Sequence, residues 1–193
     1  MIVYTIIAVI VIAIFRALHL VKVVGRENVP TDRGYMVCAN HSSLSDPIYL
    51  VTAVGIKPKV RFMAKKEIFK NKLLGALFRY LGGFPVDRKG ADVSAIKEAL
   101  KTVRAGGRLA IFPQGTRHSV DGDVKAGAGM LALRTGCDVL PIYIPEKKWR
   151  FGRLKIVIGK PFRPTPAEGK PTQEDYHRAA EEIFEKISEL AGK

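Results

Sequence analysis

Cysteine is nearly absent. Cys38 and Cys137 are the only two in 193 residues, and each sits in an apolar run. This excludes a disulfide framework and reads as two reduced core residues in a cytosolic compartment. Cys38 stands three residues before His41, which raises a Cys–His nucleophile, but Val37 and Ala39 around it describe a strand interior instead. No Gly-x-Ser-x-Gly elbow occurs, so Ser42, Ser43 and Ser45 lack the strained turn that exposes a serine nucleophile. Neither the His nor the Cys spacing fits a metal site, so no metal and no resident cofactor is expected. Internal repeats and low-complexity tracts are missing as well.

Acidic residues are scarce. Lys and Arg number 32 against 18 Asp and Glu, a formal charge of +14. The partner this predicts is anionic: nucleic acid, an acidic membrane surface or a phosphorylated substrate. The basic region contains no zinc finger, RNA-recognition consensus or Gly-x-x-Gly clamp, so nucleic acid is not the expected partner.

What the sequence does have begins at its first residue. Met1 to Phe15, MIVYTIIAVIVIAIF, carries no charge and ends at Arg16. Fifteen helical residues span about 22 Å, short of the roughly 30 Å of a hydrocarbon core. Neither a basic start nor a small-x-small cleavage site marks a secretory signal. The segment therefore reads as a membrane anchor over residues 1–21, spanning or embedded in one leaflet, with residues 22–193 as a single domain. A buried pair of strands is the alternative for the Val- and Ile-rich run. Arg16, Lys22, Arg26 and Arg33 would hold the domain on the cytoplasmic face of the cell membrane. A second basic and apolar stretch runs from Lys57 to Arg79. Helical spacing there puts Phe69, Leu73 and Leu77 on one side and Lys66 and Lys70 on another, suited to anionic membrane lipid or to a solvated face over an ordinary core helix.

Strand-like runs at 35–39, 59–64, 108–113, 138–144 and 153–158 alternate with helical patterns, which predicts an α/β fold with a mixed, mostly parallel central sheet covered by helices. Asp92 reads as an N-cap ahead of Val93, Ile96, Ala99, Leu100 and Val103, with Gly106-Gly107 as the stop. Thr172-x-x-Asp175 opens the last helix as a capping box, and the acids on that helix read as a solvated face. Gly127-Ala-Gly129-Met-Leu-Ala132, with Glu146 further on, matches a dinucleotide fingerprint in outline. Yet a turn sequence, SVDGDVKA, precedes it where a strand is required, so the glycines read as packing residues.

The densest cluster of chemistry is Asn40-His-Ser-Ser-Leu-Ser-Asp-Pro47, placed between two apolar runs. Asp46 followed by Pro47 suits an N-cap and first helical residue. The short loop can also fold back so that Asp46 accepts the Nδ1 proton of His41, leaving Nε2 a stronger base for a substrate hydroxyl. Later come GGFPVDR (Gly82 to Arg88), IFPQGTR (Ile111 to Arg117) and VLPIYI (Val139 to Ile144), with Lys125-Ala-Gly127 between the last two. In this order and spacing the four blocks resemble the glycerolipid acyltransferase family, specifically the 1-acyl-sn-glycerol-3-phosphate acyltransferases, over Val37 to Ile144.

The resemblance implies acyl transfer from a thioester, acyl-CoA or acyl carrier protein, to the sn-2 hydroxyl of lysophosphatidate. It puts the catalytic pair at His41 and Asp46, and substrate binding at Arg88, Gln114, Gly115, Thr116 and Arg117, with Lys125 a looser candidate. Arg88 and Arg117 offer bidentate forks for a phosphate. The third block has Gln114 where the family has Glu; an amide keeps a hydrogen bond but carries no charge. Other readings are a related acceptor, such as glycerol 3-phosphate or another lysophospholipid, or a non-catalytic anionic-membrane-binding module. The module is disfavoured by the His–Asp pair, since binding needs no base.

Overall fold

Every residue of the strand Tyr35–Ala39 is buried, because it occupies the middle of a sheet that carries helices on both faces. The computed structural model describes residues 5–6, 8–10, 12–14, 20–87, 92–113, 126–148 and 152–192. Among these, seven strands form one sheet: β1 (Leu20–Val24), β2 (Tyr35–Ala39), β3 (Val60–Lys65), β4 (Gly83–Val86), β5 (Arg108–Ile111), β6 (Asp138–Tyr143) and β7 (Arg153–Ile158), in the order β1-β7-β6-β2-β5-β3-β4. Strands β2 to β6 run parallel to one another. β7 is antiparallel to β6, and β1 follows β7 in parallel, so this outer pair runs the other way. The helices are α1 (Asp46–Val54), α2 (Lys72–Tyr80), α3 (Val93–Arg104), α4 (Gly127–Thr135) and α5 (Gln173–Ser188).

Alternation along the strands divides the core in two. Val37, Ala39, Leu140, Ile142 and Ile156 point to one face and pack with Tyr49, Leu50 and Ala53 of α1. Met36, Cys38, Leu109 and Val139 point to the other and pack with Ala99 of α3, Leu131 and Ala132 of α4, and Ile183 and Ile187 of α5. The expected α/β sheet covered by helices stands.

The local signals at α3 and α5 hold. Asp92 accepts from the N–H of Ala95, and Gly106 adopts a left-handed φ of 76° after the last turn of α3. Thr172 and Asp175 bond reciprocally as a capping box. Val93, expected in the apolar stripe of α3, is instead exposed, and Ala95 is buried in its place. Two strands have no counterpart in the sequence reading. Leu20–Val24 was expected to continue or follow the anchor, but it pairs with β7, so Leu20 and Val21 belong to the sheet. Gly83–Val86 forms β4, the edge strand among the described residues, where Pro85 is tolerated because only one side of the strand pairs there.

Residues 5–6, 8–10 and 12–14 are helical, which removes the paired-strand alternative for this run. A membrane span finds no support: among the described residues no helix is long and apolar enough to cross a membrane. Ile6, Val9, Ile10 and Ile14, at helical spacing, are about half exposed. In the basic stretch the core-helix reading is corrected. α2 buries only Gly75 and turns Leu73, Leu74 and Leu77 outward, with Leu73 84% exposed.

Arg108, at the start of β5, is buried beneath α1. Its Nη1 donates to the carbonyl of Val54 at 2.7 Å and lies 3.4 Å from that of Gly55, at the last turn of the helix.

Candidate active site

β2 delivers the chain to His41 at the carboxyl edge of the parallel strands, where open α/β sheets carry their sites. Asn40 follows the strand with its side chain buried against the backbone of Ile144, beyond β6. His41 follows, and the loop turns back so that its Nδ1 lies 2.9 Å from Oδ2 of Asp46. The same oxygen accepts from the N–H of Ser42 and the N–H of Ser43, each at 2.7 Å. Asp46 is the first residue of α1 and Ser45 the cap position, one place earlier than expected. The carboxylate is thus spent on the loop before it and on His41, while sitting at the positive end of the helix dipole.

Asp46 is fully buried. Burial alone would raise its pKa, but hydrogen bonds from His41, Ser43 and Ser42, with the ammonium of Lys148 beside Oδ1, outweigh it and hold the carboxyl below its ordinary range. An ionised carboxylate only accepts, so the proton of the His41–Asp46 bond belongs to Nδ1. Nε2 of the neutral ring is then the basic nitrogen. The imidazole is stacked on Phe112, which follows β5, with ring centres 4.2 Å apart and planes at 22°.

Lys148 joins the pair without any local pattern to mark it. It lies beyond β6, and its Nζ is 2.9 Å from Oδ1 of Asp46 and 2.9 Å from Oγ of Ser42. The contact with Oδ1 is an ion pair.

Cys38 has no part in the pair. Strand alternation turns it to the opposite core, and burial, helped by Cys137 nearby, pushes its thiol far up in pKa, away from the thiolate a nucleophile requires. Gly129 lies where α4 crosses α5. A Cβ there would come within 2.0 Å of the carbonyl oxygen of Tyr176, so this glycine serves close packing.

Of the expected site residues, His41 and Asp46 are brought together. Arg88, Gln114, Gly115, Thr116, Arg117 and Lys125 lie outside the described residues. Their described neighbours are informative. Asp87 follows the carboxyl end of β4, Pro113 that of β5, and Ala126 precedes α4. β4 and β5 are parallel to β2, so Asp87 and Pro113 stand beyond the same edge of the sheet as His41. Among the described residues no group of three or more His, Cys, Asp or Glu could hold a metal ion.

The pair, with its buried carboxylate, stands at the carboxyl edge of the sheet in a chain whose family is known. The family described as Acyltransferase matches residues 20–145, and the chain belongs to that family. It is 34% identical over 179 residues to the 1-acyl-sn-glycerol-3-phosphate acyltransferase of Bacillus subtilis (strain 168), covering 90% of this chain and 89% of that one. It is 40% identical over 113 residues to the protein of the same name in Streptococcus pneumoniae, a match spanning 58% of this chain and 41% of that one. Among solved structures it resembles the 1-acyl-sn-glycerophosphate (LPA) acyltransferase PlsC from Thermotoga maritima, with a TM-score of 0.64 and 31% identity, over 90% of this chain and 73% of the other.

Proposed function

We propose that this chain transfers a fatty acyl group from a thioester, acyl-CoA or acyl carrier protein, to the sn-2 hydroxyl of lysophosphatidate, giving phosphatidate. The observation that carries the reading is the 2.9 Å bond between His41 Nδ1 and the buried, ionised Asp46. Nε2 of His41 takes the hydroxyl proton as the oxygen attacks the thioester carbonyl; the new C–O ester bond forms, the C–S bond breaks, and the thiolate departs. Thiolate is a good leaving group, so the route needs no covalent enzyme intermediate. Arg88 and Arg117 hold the acceptor phosphate in this reading, with Lys125 as a further cation, and Gln114, Gly115 and Thr116 line the same end. No resident cofactor enters the reaction.

The substrate is a membrane lipid, and the reading places the protein on the cytoplasmic face of the cell membrane. Its apolar N-terminal helix lies in one leaflet, and Leu73, Leu74 and Leu77 dip into the same surface beside Lys70 and Lys72, which pair with anionic headgroups. The topology supports this orientation. Tyr143 pairs with Val157 and Leu20 with Arg153, so β1 begins at the carboxyl edge of the parallel strands. The chain following the N-terminal helix therefore enters the sheet on the side of His41.

The test uses the full chain in mixed micelles with lysophosphatidate and, in turn, acyl-CoA and acyl carrier protein. Phosphatidate is expected with at least one donor, and His41→Ala should lower the rate by about two to four orders of magnitude. Near-parental turnover by folded His41→Ala would overturn the assignment.

A further inference from the structure

We propose that Lys148 is a positioning residue for the His41–Asp46 pair, fixing the loop that carries both and cancelling the charge of Asp46 so that His41 remains an unprotonated base. The inference rests on the acyl-transfer reading and adds to it a residue outside the four sequence blocks.

The ammonium is almost wholly enclosed, with its side chain 8% exposed, and its three contacts are specific. They are Oδ1 of Asp46 at 2.9 Å, Oγ of Ser42 at 2.9 Å and the carbonyl of Glu146 at 3.4 Å. Lys has three donors and no acceptor, so each contact has a donor available to it. Through Ser42 and Asp46, Lys148 ties the residue that follows His41 to the carboxylate that His41 bonds.

The charge argument follows from burial. Among the described residues, the titratable groups set against the pair are Lys148 from the segment after β6 and Tyr49 from α1, with Phe112 contributing only a ring face. Tyr49 is neutral, since burial raises its pKa. Among the described residues Asp46 and Lys148 carry opposite charges, and the ammonium 2.9 Å from Oδ1 opposes a proton on the His41 ring that shares the same carboxylate. Without Lys148, the carboxylate would draw that proton onto the ring and form a stable imidazolium–carboxylate pair. A ring in that form must lose its proton before it can take one from a hydroxyl.

The neighbour supplies the control. Lys147 carries the same charge one position earlier but is exposed, so it shares the bulk field without the contacts.

The experiment measures kcat/KM against pH for the parent, Lys148→Met, Lys148→Arg and Lys147→Met, as full chains in micelles, with folding followed by circular dichroism. Lys148→Met should move the acid limb of the profile to higher pH by about one unit, leaving roughly a tenfold deficit below neutrality that closes in alkaline buffer. Lys148→Arg should retain the parental limb because it keeps the charge, and Lys147→Met should match the parent. A Lys148→Met profile lowered equally at every pH, or unmoved, overturns the proposal. If Lys148→Met does not fold, Lys148→Arg decides: a displaced limb overturns the proposal and a retained one supports it. His41→Ala is assayed in parallel. If it stays active, the acyl-transfer reading falls; if it is inactive while the limb of Lys148→Met is unmoved, only the role of Lys148 falls.

Discussion

Asn40 is joined to Ile144 by two hydrogen bonds across the end of the sheet: its Nδ2 donates to the Ile144 carbonyl at 2.7 Å, and its Oδ1 accepts from the Ile144 N–H at 2.8 Å. The side chain mimics one more rung of the β2–β6 ladder just where β2 stops, and His41 is the next residue. Asn40→Leu keeps the size but leaves both backbone groups unpaired and buried. It should cost about 2 kcal/mol or more in stability and also lower kcat, because His41 loses its fixed point of departure. Urea unfolding and turnover of the same preparation check both; a variant equal to the parent in each would show the staple to be idle.

Acid stability should follow the buried and capping carboxylates. The side chain of Ser94, then the N–H groups of Asp87 and Ala95, draw Asp92 down to about 2. Asp175 is lowered chiefly by backbone bonds at Thr172 and Ala167, and Asp46 is lowered as described. Since the folded values lie below the unfolded ones, the unfolded chain takes up protons first as pH falls. The contribution is complete above about pH 4 and is lost on the way down, for Asp92 through about 2. Thermal melts from pH 7 to 2 should show this slope, and Asp92→Asn should flatten part of it. An unchanged slope would remove Asp92 from the account.

Gly129 and Gly127 should respond in opposite ways to alanine. At Gly129 the added carbon would stand 2.0 Å from the Tyr176 carbonyl oxygen and 2.7 Å from the Ala180 nitrogen, both backbone atoms. The two helices must separate, at a cost of about 2–3 kcal/mol. At Gly127 nothing lies within 4 Å, so alanine should be neutral or slightly stabilising. Denaturation midpoints of the two variants give the comparison; equal effects would contradict the packing role.

The outward leucines of α2 should affect attachment rather than folding. Replacing Leu73, Leu74 and Leu77 by Ser removes apolar surface that is exposed in the structure, so the melting temperature should hold. Binding to vesicles rich in anionic lipid should weaken several-fold, and salt should release more of the triple variant than of the parent. Unchanged vesicle binding would assign attachment to other parts of the chain.

The parts of this fold that were legible in the sequence are those written in adjacent residues. β2 and β6 are dense apolar runs, β7 alternates before its apolar end, Asp92 and Thr172–Asp175 advertise their helix starts, and the five-residue spacing of His41 and Asp46 allows a local loop to join them. β1 was hidden because LVKVV continues the apolar N-terminal run, and only pairing with β7 makes it a strand. β4 was hidden because GFPV is short and holds a proline, which reads as a turn. Asn40 could be seen but its partner could not, and Lys148 lies 106 residues from Ser42 with no local pattern to mark it. Such contacts follow from the strand order, which a single chain does not spell out.

α1 has opposite charges at its two ends, Asp46 at the first residue and Arg108 against the carbonyls of the last turn. Nine residues make a rod of about 14 Å, and both attachments are buried, so the helix behaves as a gauge block set between the two edges of the sheet. Its length in residues fixes the direction in which the carboxylate faces. One residue inserted between Ile48 and Val54 would swing Asp46 about 100° around the axis while Arg108 kept the far end in place. The meeting of carboxylate and imidazole is therefore calibrated partly from the amino edge, by an arginine that touches no reacting atom.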